Sequence, residues 1–255
     1  MLTEQGDAAG RGPGLVLTGE RTLPGVEVEN YWFRRHEAAY SALLPFCTGA
    51  VVLEAGCGEG YGADRLAGVA RRVVGVDYDA ATVAHVAAAY LRVAPVRGNL
   101  AALPVADGAV DVVACMQVIE HLWDQPGFLA ECARVLRPAG TLLLSTPNRL
   151  TFSPGNTPLN PFHARELSPE ELVDLVTENG FTPTRRFGLR HGRRLRRLDQ
   201  RYGSLVDAQL AGPAETWHRT LRRDVAGVRE DDFELGRDDL ETSLDLVMVA
   251  VRTPR

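Results

Sequence analysis

The chain has 255 residues, 45% of them hydrophobic, and a net charge of −5, with all 28 basic residues arginine. That length suits one α/β domain with an elaboration and a sizeable core, and the acidic balance argues against a general nucleic-acid binder. No apolar run approaches the ~18 residues of a membrane span and no secretory h-region opens the chain, so a cytoplasmic protein with no membrane partner is expected.

Residues 1–19 are rich in Gly and Ala without periodicity, which predicts a mobile tail. Residues 20–48 read as a helical lid: Tyr31, Trp32, Ala38, Ala39, Ala42 and Leu43 suit an amphipathic helix ending near Pro45. Tyr31, Trp32, Arg35 and His36 are more polar-aromatic than packing requires. Either this is a surface helix with snorkelling arginines, or those side chains face a ligand. The four cysteines, Cys47, Cys57, Cys115 and Cys132, lack C-x-x-C spacing and read as reduced and mostly buried.

The organising stretch is VVLEAGCGEGYG, residues 51–62. A short apolar run bounded by turn residues predicts a buried parallel strand. Gly56, Gly58 and Gly60 then allow positive φ and close approach of a ligand to the backbone. A following helix offers its N-terminal amides beside that ligand. The spacing is not the G-x-G-x-x-G of a dinucleotide site, which disfavours a nicotinamide oxidoreductase. Glu54 at the mouth repels a pyrophosphate and suits a cation.

Further βα units follow. RRVVGVDYD is a strand ending in Asp77, about 20 residues beyond the glycine loop, where a carboxylate can accept ribose hydroxyl protons. A plain helix cap before Ala80 to Tyr90 is the alternative for Asp77. Tyr78 can pack on a base. APVRGNL is a third strand with Asn99 and Leu100 at its tip, and Val110 to Met116 a fourth, followed by Gln117, Glu120 and His121 in a turn. A helix with a Pro-Gly stop and a fifth strand, Thr141 to Ser145, come next. His163 lies in a Pro- and Asn-rich loop, Ser168 and Glu171 form a capping box for a helix from Pro169 to Asn179, and strands near 181–189 and 244–251 close the chain.

Glu54, Gly56, Gly58 and Gly60, with V-x-x-V-D and L-R-P-x-G-x-L-L-x-S-T-P-N, resemble the motifs of class I S-adenosylmethionine-dependent methyltransferases across roughly 50–150. The resemblance implies a Rossmann-like sheet in the order 3-2-1-4-5-7-6 with the seventh strand antiparallel. It implies S-adenosylmethionine held by Glu54, Gly56, Gly58, Asp77, Tyr78, Asn99, Leu100 and Gln117. Arg35 would meet the methionyl carboxylate while the lid's aromatics shield the methyl group. The family often has Asp where this chain has Asn99.

Glu120, His121 and His163 can converge at the methyl acceptor. They resemble the E-x-x-E-H plus distal His pattern of small-RNA 2′-O-methyltransferases and a related site in quinone-pathway O-methyltransferases, both of which use a divalent ion. Here Gln117 replaces the first Glu, which weakens the case for Mg²⁺, a lover of oxygen ligands. A metal site of Glu120, His121 and His163, a metal-free general base at His163 with His121 second, and structural histidines all stay open. TGERTLPG, ENYWFRRH, QVIEHLWDQ, STPNRLTFSPGN and NPFHARELS resemble an actinobacterial group of glucan O-methyltransferases linked to methylglucose lipopolysaccharide formation. That implies a sugar or oligosaccharide acceptor. A small-molecule O- or N-methyltransferase and a non-catalytic cofactor-binding protein are the rivals.

Some 50 charged residues precede the last strand. Residues 192–242 read either as a solvated helical face or as a helical lid that brings Arg193, Arg194 and Trp217 to the acceptor's rim. On this division, 20–191 and 243–255 form the methyltransferase domain.

Overall fold

Apolar runs with no polar face to show to water become central strands, covered by helices on both sides. The computed structural model describes residues 22–155 and 159–254; the expected tail over 1–19 lies outside the described residues. Its strands are β1 (Val51–Ala55), β2 (Arg72–Asp77), β3 (Val93–Arg97), β4 (Val110–Met116), β5 (Leu136–Pro147), β6 (Phe181–His191), β7 (Phe233–Gly236) and β8 (Asp245–Arg252). Its helices are α1 (Asn30–Leu43), α2 (Tyr61–Ala67), α3 (Ala80–Ala89), α4 (Gln125–Val135), α5 (Arg149–Phe152), α6 (Pro169–Glu178), α7 (Arg193–Tyr202), α8 (Leu205–Leu210) and α9 (Arg219–Ala226).

The strands form an eight-stranded sheet in the order β3-β2-β1-β4-β5-β8-β6-β7. The strands from β3 to β5 pair in parallel, and β8 lies antiparallel to both β5 and β6. The expected methyltransferase order is therefore present, with one addition. The segment before the last strand is not wholly helical: it contributes β7, antiparallel on the outer edge of β6. The strand reversal between β1 and β4 leaves a crevice at the carboxyl ends, where ligands of such sheets bind.

One sheet face packs Phe128, Leu129, Leu172 and Val176 from α4 and α6; the other packs Tyr40, Leu43, Leu66 and Val86 from α1, α2 and α3. A third cluster joins Tyr31 to Leu195, Leu198, Leu205, Leu221 and Val225 of the insertion. So α1 is shared between two cores, and the surface-helix alternative for it is wrong. The Pro-Gly segment before the fifth strand also differs from expectation. It does not merely stop α4: Ala139 takes φ +58° and the β4–β5 register shifts, so β5 starts early through a bulge. The capping box at Ser168 and Glu171 is present, and all four cysteines are buried, with no disulfide among the described residues. Among the described residues no helix is long and apolar enough to cross a membrane.

Candidate active site

The glycine loop joins β1 to α2 with φ of +78° at Gly56, +51° at Gly58 and +101° at Gly60. Two of these glycines are needed for packing as well as for φ. A Cβ on Gly56 would stand 2.7 Å from Val118, and one on Gly60 would stand 2.8 Å from Val86 and Tyr90. A Cβ on Gly58 would meet nothing within 4 Å, so open space lies against the backbone there.

Three acidic side chains organise this end. Asp77 is buried; its Oδ2 accepts from Gly58 N–H and its Oδ1 from Asp79 N–H, both at 3.0 Å. The helix-cap alternative for Asp77 fails, because Asp79 caps α3 through Ala81 N–H. Glu54 is fully buried, takes the Tyr40 hydroxyl on Oε1 at 2.5 Å, and leaves Oε2 without a partner. Burial pushes its carboxyl up to about 8. Glu59, inside the loop, accepts from Tyr90 and from Tyr61 N–H and bonds His85, which fixes the loop to α3. Tyr78 is exposed beside Asp77, Asn99 closes a turn on Ala101 N–H, and Leu100 packs partly on the main core.

The second group surrounds a cavity of about 350 Å³ lined by Trp32, Arg35, His36, Gln117, Glu120, His121, Phe152, Phe162 and His163, with Leu159 and Leu210 among the rest. Glu120, His121 and His163, predicted to converge, do so: one ligand atom from each lies within 4.8 Å of the others. His121 Nδ1 is 3.0 Å from Phe162 O, and a carbonyl only accepts, so Nδ1 carries the proton and Nε2 the lone pair. His163 Nδ1 meets Glu166 Oε1 at 2.6 Å, while its Nε2 lies 3.0 Å from Asn160 Nδ2, which again puts the lone pair on Nε2. The two rings meet edge to face at 4.9 Å. Glu120 accepts from Thr146 on Oε2 at 2.9 Å, and burial pushes its carboxyl up to about 8.

Gln117, the residue after β4, takes φ +56°, and its amide donates to Ser145 Oγ at 2.8 Å. The charge of Arg35 is already matched: Asp245 at the head of β8 takes its Nε and Nη2 at 2.6 Å each, and only the buried Nη1 has no partner. Its guanidinium lies over the Trp32 and Phe152 rings, 5.4 and 5.8 Å from their centroids. Tyr31 is not among the shielding aromatics: it points into the insertion's core, 2.7 Å from His191 Nε2. His36 does face the cavity, and burial lowers it to about 4, so it is neutral.

The expected arginine rim is also absent. Arg194 is held by Gly227 O and Asp232, Arg193 is exposed on α7, and Trp217 gives its Nε1 to Gly212 O. Leu210 of α8 is what the insertion brings to the cavity. Sequence reasoning missed Tyr40, Thr146, Glu166 and Asp245. Asp245 carried a usable signal, a lone carboxylate heading the apolar run LVMVAV; Glu166, three residues after His163, carried a weaker one.

Comparisons with known proteins agree with this geometry. A methyltransferase domain model matches residues 53–144. The chain is similar to a probable S-adenosylmethionine-dependent methyltransferase of Mycolicibacterium smegmatis, 58% identical over 245 residues, 93% of this chain and 95% of that protein. It is also similar to a ubiquinone biosynthesis O-methyltransferase of Cereibacter sphaeroides, 29% identical over 170 residues, 58% of this chain and 66% of that protein. Among solved structures, the fold is shared with a Burkholderia thailandensis 1,6-didemethyltoxoflavin-N1-methyltransferase at TM-score 0.54 and 20% identity, over 87% of this chain and 79% of that one.

Proposed function

Since the chain belongs to the S-adenosylmethionine-dependent methyltransferases, we propose that it methylates oxygen, with a sugar hydroxyl of a glucan or similar polysaccharide precursor as acceptor. The observation that carries this reading is the meeting of Glu120, His121 and His163 in a cavity walled by aromatic rings.

Bound S-adenosylmethionine supplies an electrophilic methyl group on a sulfonium sulfur. The residues fit it. Gly58 leaves room against the backbone, Gly56 and Gly60 hold the loop in shape, and Asp77 keeps spare lone pairs for ribose hydroxyls. The orphaned Oε2 of Glu54 suits an ammonium group, and the orphaned Nη1 of Arg35 suits a carboxylate. Tyr78 offers a ring face to adenine, with Asn99 and Leu100 beside it, and Gln117 stands at the methionyl end.

A sugar hydroxyl is a weak nucleophile, so a base worth ~10²–10⁴-fold is needed. His163 Nε2, whose lone pair is held by Asn160 Nδ2 at 3.0 Å, accepts the hydroxyl proton once Asn160 yields it, and Glu166 on the opposite nitrogen steadies the imidazolium. His121 Nε2 stands second. Alignment of the hydroxyl with the methyl group contributes up to ~7–11 kcal/mol, and Trp32, Phe152 and Phe162 offer faces for a sugar ring.

The same three residues fit a divalent ion. Each of the three offers one ligand atom to the same small space, Glu166 backs His163 as carboxylates back metal-bound histidines, and Asn160 would have to release His163 Nε2. This nitrogen-rich set suits a borderline transition ion better than Mg²⁺. Such an ion would lower the pKa of a coordinated hydroxyl. Glu120 must then give up the proton that burial makes it hold.

Mass spectrometry of a saccharide library incubated with labelled cofactor tests the acceptor class. Label on sugar oxygen is expected. Label on phenols or amines with every saccharide untouched would overturn the sugar reading and leave a small-molecule methyltransferase in its place.

A further inference from the structure

A second cavity, of about 230 Å³, adjoins the first and shares Arg35 and Phe152 with it. Its remaining lining is polar: Thr151, His191, Asp199, Ser204 and Asp207, closed by Gly203, Val206 and Leu244. The two shared residues are in cation–π contact, Arg35 Cζ lying 5.8 Å from the Phe152 ring centroid, and Trp32 of the first cavity meets Phe152 edge to face at 6.3 Å.

The hydrogen-bond inventory says what this cavity can take. His191 is satisfied on both nitrogens, by Tyr31 at 2.7 Å and Asp199 at 2.6 Å, so it is wall and not ligand. Thr151 already gives its hydroxyl proton to Ser243 O at 2.7 Å. Asp199 spends one bond on each oxygen, to His191 and to Leu205 N–H, and each oxygen keeps a second lone pair. Ser204 Oγ accepts from Asp207 N–H and keeps its own proton to donate. The Asp207 carboxylate is exposed and makes no hydrogen bond among the described residues. What is left over is several acceptors and one hydroxyl donor. Neutral hydroxyl groups match that set, because each can donate to a carboxylate and accept from Ser204. Arg35 is already matched by Asp245, so it adds no free charge here; the exposed Asp207 carboxylate is screened by solvent and can take a neutral hydroxyl donor as well as a cation.

Position adds to the chemistry. Asp199, Gly203, Ser204 and Asp207 form the corner between α7 and α8, and Leu210 at the end of α8 lines the first cavity. The insertion thus reaches the site through this corner, not through its arginines. We propose that the second cavity is a subsite for a hydroxyl-rich unit of an extended acceptor, its reacting unit lying in the first cavity beside His163. This deepens the sugar-hydroxyl reading and rests on it.

The test compares kcat/KM for methyl transfer to methyl glucoside and to gluco-oligosaccharides of increasing length, in the wild type, Asp207→Ala and Ser204→Ala. Ser204→Ala also removes a cap, so Asp207→Ala is the cleaner variant. The wild type should prefer the longer acceptors by at least about tenfold, and Asp207→Ala should bring that preference towards unity, the loss expected for one charged hydrogen bond. S-adenosylhomocysteine affinity should not move. Saccharide methylation with no length preference, or a preference untouched by Asp207→Ala, overturns the subsite and leaves the sugar reading standing. No methylation of any saccharide overturns both.

Discussion

The two ends of the site are built by different means. At the cofactor end, one continuous stretch makes the shape: three left-handed glycines, with Asp77 holding Gly58 N–H and Glu59 holding the loop to α3. At the acceptor end, no stretch suffices. Glu120 and His121 follow β4, His163 and Glu166 follow β5, Arg35 comes from α1 and Asp245 from β8. A loop that fixes backbone tolerates little change in glycine position, whereas a cavity made of side chains from separate segments can change its ligand by changing one of them. Conserved cofactor chemistry with variable acceptors is the expected result.

The largest expected effect separates the two ends outright. His163→Ala should lower kcat by roughly 10²–10⁴-fold while S-adenosylhomocysteine affinity stays within a factor of a few, measured by steady-state kinetics and calorimetry. Chelation refines this outcome. If EDTA abolishes activity and Glu120→Ala and His121→Ala are as severe, the three are metal ligands; insensitivity to EDTA leaves His163 as the base. Full activity in His163→Ala removes both roles.

Next comes the pair that joins α1 to the last strand. Asp245→Ala leaves the Arg35 guanidinium buried and unmatched, so the protein should lose about 3–5 kcal/mol in denaturant unfolding. A loss under about 1 kcal/mol would mean that water reaches the arginine and the pair is effectively on the surface. Asp77→Ala is smaller and confined to the cofactor end: S-adenosylhomocysteine should bind roughly 1.5–3 kcal/mol more weakly by calorimetry, with the acceptor KM unchanged.

The smallest effect is a proton count. Glu54 folds with its carboxyl raised from 4.5 to about 8, so the folded chain binds a proton that the unfolded chain has lost. Its contribution therefore erodes stability as pH climbs from 4.5 towards 8, with no contribution below that window. An ammonium group on Oε2 reverses the shift. Binding of S-adenosylhomocysteine at neutral pH should release close to one proton, seen as a binding enthalpy that follows the buffer's ionisation enthalpy, and Glu54→Gln should abolish the dependence. Equal proton release in Glu54→Gln would place the titrating group elsewhere.

How much of this was legible in the sequence follows the same division. The glycine loop, Asp77 and the strand order are local statements, since φ, hydrophobic period and a short spacing carry them. The convergence of Glu120, His121 and His163 was legible because both loops leave adjacent strands. The fate of Arg35 was not, since its partner lies 210 residues away and no local rule links them. Tyr31 failed for the same reason: His191 belongs to a strand whose neighbour could not be placed from α1 alone. Arg193 and Arg194 looked like a rim because charge runs reveal solvation but not direction.

The lodging of β8 between β5 and β6 bears on how the molecule comes into being. Until residues 245–252 are made, β6 and β7 have no place against the rest of the sheet, and Arg35 has no counter-charge. The contacts that complete the acceptor end are thus among the most distant in the chain, and closing them is the slow part of acquiring a native structure. A nascent chain can assemble its glycine loop and first strands well before it can hold an acceptor. Pulsed hydrogen exchange during refolding should find amides of β1 and β2 protected before those of β6 and β8. Simultaneous protection would mean that the sheet forms in one step.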